Sequence, residues 1–313
     1  MPLFSVVIPT HNRADLLMKT LRSVERQRFR DFETIVVIDS GTDDTADRLV
    51  DFPWVRVLEA SAGGPGGARN VGIFAATGEY IAFLDDDDLW FPWTLDTYAD
   101  IIRRLDYPAI LSATGVGSRI PEDILLSEKR AICYSHKDYL SYMNNPHRPG
   151  WILVSSICLR RDFLIEVGGF DASYSSHEDE ALWLRLGTAP GYVRVVEPQC
   201  CIYREHDSLA TNTRIRFENI IRMIGAEEGG EFPGGPERRW ERRKVIAGLG
   251  RHLARLALQT GFGREGWGLY KRLVAWNIRL GRWLFLIAYP ALALRSAQRE
   301  RALPAGGMGR RQV

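Results

Sequence analysis

Cysteine is scarce in this chain, and none of it falls at metal-ligand spacing. Cys133, Cys158, Cys200 and Cys201 form no CxxC or Cys/His pattern, which leaves no sequence case for a cysteine-based metal or redox centre. Adjacent cysteines seldom bond to each other, so Cys200–Cys201 predicts buried thiols in a reducing compartment. Long hydrophobic runs are missing too. The longest, "WLFLIAYPALAL" (283–294), has 12 residues, short of the roughly 20 that a spanning helix needs. The opening "MPLFSVVIPTHNR" has no cationic lead and no small-residue cleavage site, so it does not read as a signal peptide. The Gly-rich stretch 63–78 lacks both the Walker Lys-Ser/Thr and the GxGxxG order, which removes the phosphate-loop and Rossmann readings. There are no sequence repeats and no recognised nucleic-acid module.

What is present suits a globular protein of one large domain or one and a half: 313 residues, 45% hydrophobic and 26% charged. The net charge of +2 hides an asymmetry. Residues 1–209 carry 21 Lys and Arg against 31 Asp and Glu, a net of −10; residues 210–313 carry 20 against 8, a net of +12. An acidic body with a basic tail predicts a site built on carboxylates and a separate surface that meets something anionic.

The first 90 residues repeat a strand-then-helix rhythm. "FSVVIPT" (4–10), "FETIVVIDS" (32–40), "VRVLEA" (55–60) and "YIAFL" (80–84) read as strands. "ADLLMKTLRSVERQ" (14–27), "TDDTADRLVDF" (42–52) and the end of "GGPGGARNVGIFAATG" (63–78) read as helices. That alternation predicts an α/β fold with a largely parallel sheet, whose ligands sit beyond the carboxyl ends of the strands. A helix follows over about 92–105, and 109–150 has no readable pattern. Residues 151–171 read as strand, turn and short helix, 178–187 as a helix and 192–206 as one or two strands. "GAEEGGEFPGGPERR" (225–239) reads as a linker. Beyond it Ile246, Leu249, Leu253, Leu256 and Leu273, Trp276, Leu280, Trp283 recur at helical intervals, predicting a basic helical hairpin hinged at "GFGREG".

"YIAFLDDDDLW" (80–90) sets four aspartates at the end of an apolar run. Continued as a strand, it would point Asp85 and Asp87 one way and Asp86 and Asp88 the other. Paired carboxylates suit a hard divalent cation such as Mg²⁺ or Mn²⁺, which neutralises their repulsion and can hold a diphosphate. Asp88 is assigned as the cap of the helix after 91.

The ordered set "SVVIPTHNR", "VVIDSGTDDT", "GGARNVGIFAATGEYIAFLDDDDLW", "VGGFD" and "HEDEALWLRL" resembles the family 2 inverting glycosyltransferases of the GT-A fold, over about residues 4–209. The resemblance implies a GT-A-like (Rossmann-related), mostly parallel central sheet flanked by helices. It also implies a nucleotide-diphospho-sugar donor, a divalent metal on a D-x-D, and one carboxylate base for in-line attack with inversion. Position by position, it places Pro9, Thr10, His11 and Asp39 around the nucleoside. Here "IDSG" departs from the family's "DDGS", with Ile38 at the usual first Asp. Arg69 falls near the nucleoside or diphosphate, an anion contact that an arginine at a helix start suits. Asp87 falls as metal ligand, Asp85 on ribose or metal-bound water, and Asp86 at a variable position of the donor motif.

The resemblance gives the base role to Asp179, while Glu178 and Glu180 also complement the start of a helix dipole. A weak carboxylate base suffices because the hydroxyl loses its proton only as the new C–O bond forms. In "YREHDS", His206 is either a metal or diphosphate contact or an ordinary loop histidine. Trp151 and Trp183 are candidates for stacking on an acceptor sugar, with core packing the better account of Trp183.

The domains expected are a catalytic domain (1–210), a linker (211–240), a basic amphipathic helical region (241–300) and a flexible tail (301–313). The expected function is transfer of a sugar from a UDP- or GDP-linked donor to a hydroxyl on a saccharide or lipid-linked glycan. The alternative is a nucleotide-sugar-binding or scaffolding protein of the same fold without turnover. An aspartyl-phosphate phosphatase is excluded, because Leu89 stands where that chemistry expects Thr or Val. The expected location is cytoplasmic. The basic helices either lie peripherally on an anionic membrane face or pack on the catalytic domain, and no nucleic-acid partner is expected.

Overall fold

Continuous β-branched runs, covered on both faces, become the inner strands of the sheet. The computed structural model describes residues 1–117, 131–145, 152–203 and 213–302. It divides into two compact units, 1–206 and 207–313. The first unit begins with β1 (Phe4–Thr10), α1 (Ala14–Glu25), β2 (Phe32–Asp39), α2 (Thr45–Arg48), β3 (Val55–Ala60), α3 (Pro65–Ala75) and β4 (Tyr80–Phe83). Next come β5 (Leu89–Trp90), α4 (Thr94–Arg104), β6 (Ile110–Ala113), β7 (Gly115–Gly117), β8 (Ile132–His136) and α5 (Tyr139–Asn144). β9 (Ile157–Arg160), α6 (Arg161–Glu166), α7 (Glu178–Arg185), β10 (Tyr192–Glu197) and β11 (Cys201–Tyr203) complete it.

Eight strands form the main sheet in the order β3-β2-β1-β4-β9-β6-β10-β8. β1 pairs in parallel with β2 and β4, β2 with β3, and β6 with β10; β9 and β8 run against their neighbours. A smaller sheet, β5-β11-β7, stands beside it. All seven residues of β1 are buried. Leu17, Met18, Leu21 and Val24 of α1 recur at helical spacing and share one core with Val6, Ile8, Val36 and Tyr98. α3 lies close on β1: a Cβ on Gly72 would sit 2.4 Å from Val7 Cγ1, so only glycine fits. All four cysteines are free, and Cys158, Cys200 and Cys201 are buried.

The second unit holds α8 (Thr213–Gly229), α9 (Arg239–Ala257), α10 (Gly263–Arg279) and α11 (Trp283–Ala302). The stretch 211–240 is therefore no simple linker, because α8 occupies much of it. Its Glu227 is buried, accepting from Arg242 Nε at 2.6 Å and ion-paired with Arg243 at 3.3 Å. α9 and α10 form the expected hairpin, and α11 is a third helix carrying the 12-residue apolar run. No helix among the described residues is long and apolar enough to cross a membrane. Residues 303–313, expected as a tail, lie outside the described residues.

Two local expectations fail. Residues 42–52 form only the short α2 and a 3-10 turn over Leu49–Asp51. Asp88 does not cap α4, whose first flanking residue is Trp93 with no side-chain cap. β5 and the turn after it separate the aspartates from that helix.

Candidate active site

The carboxyl ends of β1, β2 and β4 lie side by side, and the chemistry-bearing residues gather there. Asp39 ends β2 and is buried. Its Oδ1 accepts from Ala62 N (2.7 Å) and its Oδ2 from Gly64 N (2.8 Å). It thereby pins the turn that opens α3, where Gly64 takes φ 133 and Pro65 occupies the first helical turn. His11 Nδ1 lies 2.6 Å from the Asp39 carbonyl, joining the tips of β1 and β2. Asn12 Oδ1 accepts from Thr42 N at 2.7 Å and holds the next loop. Pro9 is buried in β1 beside Val37. A cavity of about 340 Å³ opens alongside, lined by Ser40, Asp43, Glu59 and Ser61 among others.

The four aspartates are not a strand. β4 ends at Phe83, and 85–88 form a turn closed by Asp88 N donating to Asp85 O (3.1 Å). The alternation argued from strand geometry is replaced by turn geometry. One carboxylate oxygen each from Asp85, Asp87 and Asp88 lie within 4.8 Å of one another. Asp86 is separate and buried: Thr10 Oγ1 donates to its Oδ2 (2.8 Å) and Arg13 Nη1 to its Oδ1 (3.1 Å). Burial pushes the Asp86 carboxyl up to about 6, with the Thr10 hydrogen bond and the Arg13 charge acting the other way. Arg13 also reaches Asp87 Oδ2 at 2.5 Å. Thr20 Oγ1 lies 2.8 Å from the carbonyls of both Asp86 and Asp88, and Ser155 Oγ accepts from Asp85 N (3.0 Å). The turn is held from several sides.

Arg69, near the start of α3, is 4% exposed and crosses the site. Its Nη2 donates to Asp85 Oδ1 (2.6 Å) and its Nη1 to Glu178 Oε1 (3.2 Å), with the guanidinium over the Phe170 ring. Burial works against its charge, but Asp85 and Glu178 outweigh that and hold it firmly protonated. Its Nε has no acceptor among the described residues. Glu178 and Asp179 open α7, and the residue before them, His177, takes φ 59. That left-handed backbone is uncommon outside glycine and clusters at functional sites. Burial, then the Asp179 charge, raise the Glu178 carboxyl against the pull of Arg69. Burial and Asp179 push Glu180 well up. Asp179 Oδ1 accepts from Glu180 N (2.9 Å).

The structure thus brings Arg69, Asp85, Asp87, Asp88 and Glu178 together, with Asp179 next in α7. His11 and Asp39 sit at the neighbouring strand tips, while Thr10 and Asp86 support the turn from beneath. Trp183 is buried core. His206 and Trp151 lie outside the described residues. Sequence reasoning passed over Arg13, Thr20, Asn70 and Ser155. Arg13 closes the quoted segment "SVVIPTHNR" and Asn70 follows Arg69 in the segment that opens "GGARN", so position within those segments was the available signal. Asn70 donates to Phe170 O (2.8 Å) and accepts from Phe170 N (2.7 Å), locking the "VGGFD" segment to α3.

This sheet with its acidic turn is a GT-A-like α/β architecture, as solved structures show. TarS 1–349 of S. aureus in complex with UDP-GlcNAc matches with a TM-score of 0.55 over 89% of this chain and 92% of that one, at 17% identity. The mannosyltransferase PcManGT of Pyrobaculum calidifontis, in complex with GDP-Man and Mn²⁺, matches at 0.54 over 96% and 87%, also at 17% identity. The signature of glycosyl transferase family 2 covers residues 5–168, just over half of the chain, and the chain belongs to that family. Among curated relatives, the amylovoran biosynthesis glycosyltransferase AmsB of Erwinia amylovora is 30% identical over 202 residues, 58% of this chain and 63% of that protein. WfaP of Escherichia coli, a UDP-Glc:alpha-D-GlcNAc-diphosphoundecaprenol beta-1,3-glucosyltransferase, is 27% identical over 245 residues, 72% and 88%. With AmsB and two uncharacterised glycosyltransferases, the chain spans between 31% and 63% of the relative's length.

Proposed function

We propose that this protein is a metal-dependent inverting glycosyltransferase. It moves a sugar from a UDP- or GDP-linked donor to a hydroxyl on a saccharide or lipid-linked glycan by a single in-line displacement. The observation that carries this is Arg69 spanning Asp85 at 2.6 Å and Glu178 at 3.2 Å. It ties the acidic turn after β4 to the start of α7, so donor-holding groups and a base share one place. The UDP-GlcNAc and GDP-Man in the two solved structures support a nucleotide-sugar donor, and the diphosphoundecaprenol in the WfaP name supports a lipid-linked acceptor.

The oxygens of Asp85, Asp87 and Asp88 are a hard donor set clustered within 4.8 Å, which fits Mg²⁺ or Mn²⁺. His206 remains a further candidate ligand. When bound, such an ion supplies positive charge against the leaving diphosphate. Arg69, held on Asp85, offers the same sign of charge, and its Nε–H is uncommitted among the described residues. Pro9, Thr10, His11 and Asp39 frame the nucleoside end. Asp39 acts there chiefly by fixing the turn into α3.

Asp179 takes the base role that the family resemblance gives it, beside a Glu178 committed to Arg69. The acceptor oxygen bonds to the anomeric carbon as the bond to the diphosphate oxygen breaks. The hydroxyl proton goes to Asp179, and the nucleoside diphosphate leaves with the electron pair. One carboxylate suffices for inversion, whereas retention would need a nucleophile as well.

Incubation with a donor panel, Mn²⁺ or Mg²⁺ and candidate acceptors tests this by nucleotide diphosphate release. Asp179→Asn is expected to lower turnover by about 10³-fold while nucleotide affinity holds. Donor binding without acceptor-stimulated release in the unaltered protein would instead mark a binding protein of the same fold.

A further inference from the structure

α11 is apolar on both of its faces, and only one is used within its unit. On the inner side Tyr289 is 1% exposed and stacks on Tyr270 at 5.0 Å between ring centroids. Ser296 Oγ donates to Leu258 O (3.0 Å), and Tyr270 Oη donates to Leu286 O (2.9 Å). On the outer side Trp283, Leu284, Ile287, Leu292 and Leu294 are 58%, 83%, 75%, 46% and 66% exposed. At 3.6 residues per turn these five share one half of the helix surface. A contiguous exposed apolar strip of this kind marks an interaction surface.

Charge identifies the occupant. Exposed Arg282 and Arg295 bracket the strip, and no Asp or Glu occurs from 282 to 299. Behind it, Arg251 on α9 donates to the neutral Asn277 Oδ1 (2.7 Å). Burial, and then the charges of Arg282 and Arg255, pull Arg251 down to about 10. Positive charge is thus concentrated beside the apolar strip. A second copy of this chain would bring the same arginines against these, so like charge opposes self-association through this face. A surface that is apolar inside and anionic outside satisfies both features. We propose that the outer face of α11 lies in the plane of an anionic lipid bilayer, with Trp283, Leu284, Ile287 and Leu294 in the acyl boundary and Arg282 and Arg295 on headgroup phosphates. The 12-residue apolar run is too short to span, which favours an in-plane helix.

The test needs neither donor nor acceptor, so it stands or fails apart from the transfer reaction. The full chain is co-sedimented with vesicles of phosphatidylcholine alone and with about a third phosphatidylglycerol added. Partitioning is expected on the anionic vesicles and to weaken with salt. Arg282→Gln with Arg295→Gln is expected to lower it by roughly 30-fold. Leu284→Gln with Ile287→Gln is expected to lower it at least about tenfold. These four side chains are exposed, so the variants should keep the parent melting temperature. No binding to anionic vesicles at low salt, or unchanged binding by both variants, overturns the proposal. A stable dimer in sedimentation velocity that Leu284→Gln with Ile287→Gln dissolves would give the face to a second copy and also overturn it.

Discussion

Asp86 and Asp87 are adjacent and do opposite work. Asp87 offers an oxygen to the cluster with Asp85 and Asp88, while Asp86 is buried as the acceptor for Thr10 and Arg13. Asp87→Ala is expected to weaken Mn²⁺ binding at least about tenfold by electron paramagnetic resonance, with little change in urea stability. Asp86→Ala leaves the Thr10 hydroxyl and one Arg13 donor without that acceptor. It should cost about 1–3 kcal/mol in urea unfolding. Equal loss of Mn²⁺ affinity in both would mean the turn presents its side chains differently. The aspartate run was legible as a set of converging carboxylates, but which carboxylate faces where was not. A strand alternates its side chains, and the chain had already left β4 at Phe83.

At the scale of elements, the site depends on contacts between segments far apart in sequence. Asn70 binds the Phe170 backbone in both directions and so sets α3 against the chain that leads to α7. Asn70→Ala should destabilise the fold by about 1–3 kcal/mol and lower turnover by shifting Arg69 relative to Glu178. Melting curves and steady-state rates check the two together. Glu33, on β2, accepts from Ser5 Oγ, Thr77 N and Thr77 Oγ1. Burial alone would raise its carboxyl, but those hydrogen bonds outweigh burial and hold it below the usual 4.5. Its folded state therefore binds fewer protons, so its contribution is present above 4.5 and is lost as pH falls from there through the lower folded value. Glu33→Gln should cost about 1 kcal/mol at pH 7 and flatten the acid limb of a stability profile below pH about 5.

The strand-helix rhythm of residues 4–83 was legible because β1, β2 and β4 are largely apolar and the long helices have a periodic face. Residues 109–150 were not legible. β6, β7 and β8 are short, and β7 and β8 are only partly buried, so local pattern is weak. The end of α8 was read as linker because it runs into the polar, Gly/Pro-rich stretch 225–239, and the burial of Glu227 against Arg242 is a tertiary contact that local pattern does not carry.

On the scale of the whole molecule, charge divides the chain: net −10 up to residue 209 and +12 beyond it. A nucleoside diphosphate that needs the acidic cluster should raise the melting temperature only when metal is present. At a hundredfold excess over its dissociation constant the gain is about 2.7 kcal/mol, several degrees for a unit of this size. Chelation with EDTA should remove the shift, and a shift that survives chelation would argue against metal-dependent donor binding.

The sequence by itself determined the α/β class, the five motif segments, the acidic and basic halves and the absence of a spanning run. Those follow from local composition and periodicity, which a strand or helix carries within its own residues. Only the tertiary structure decided that Arg69 joins the turn after β4 to the start of α7. It also decided that Asp86 turns inward, and that α11 shows a second apolar face to solvent. Each of these depends on how segments distant in the chain meet, and a side chain's partner, burial and charge are properties of that meeting.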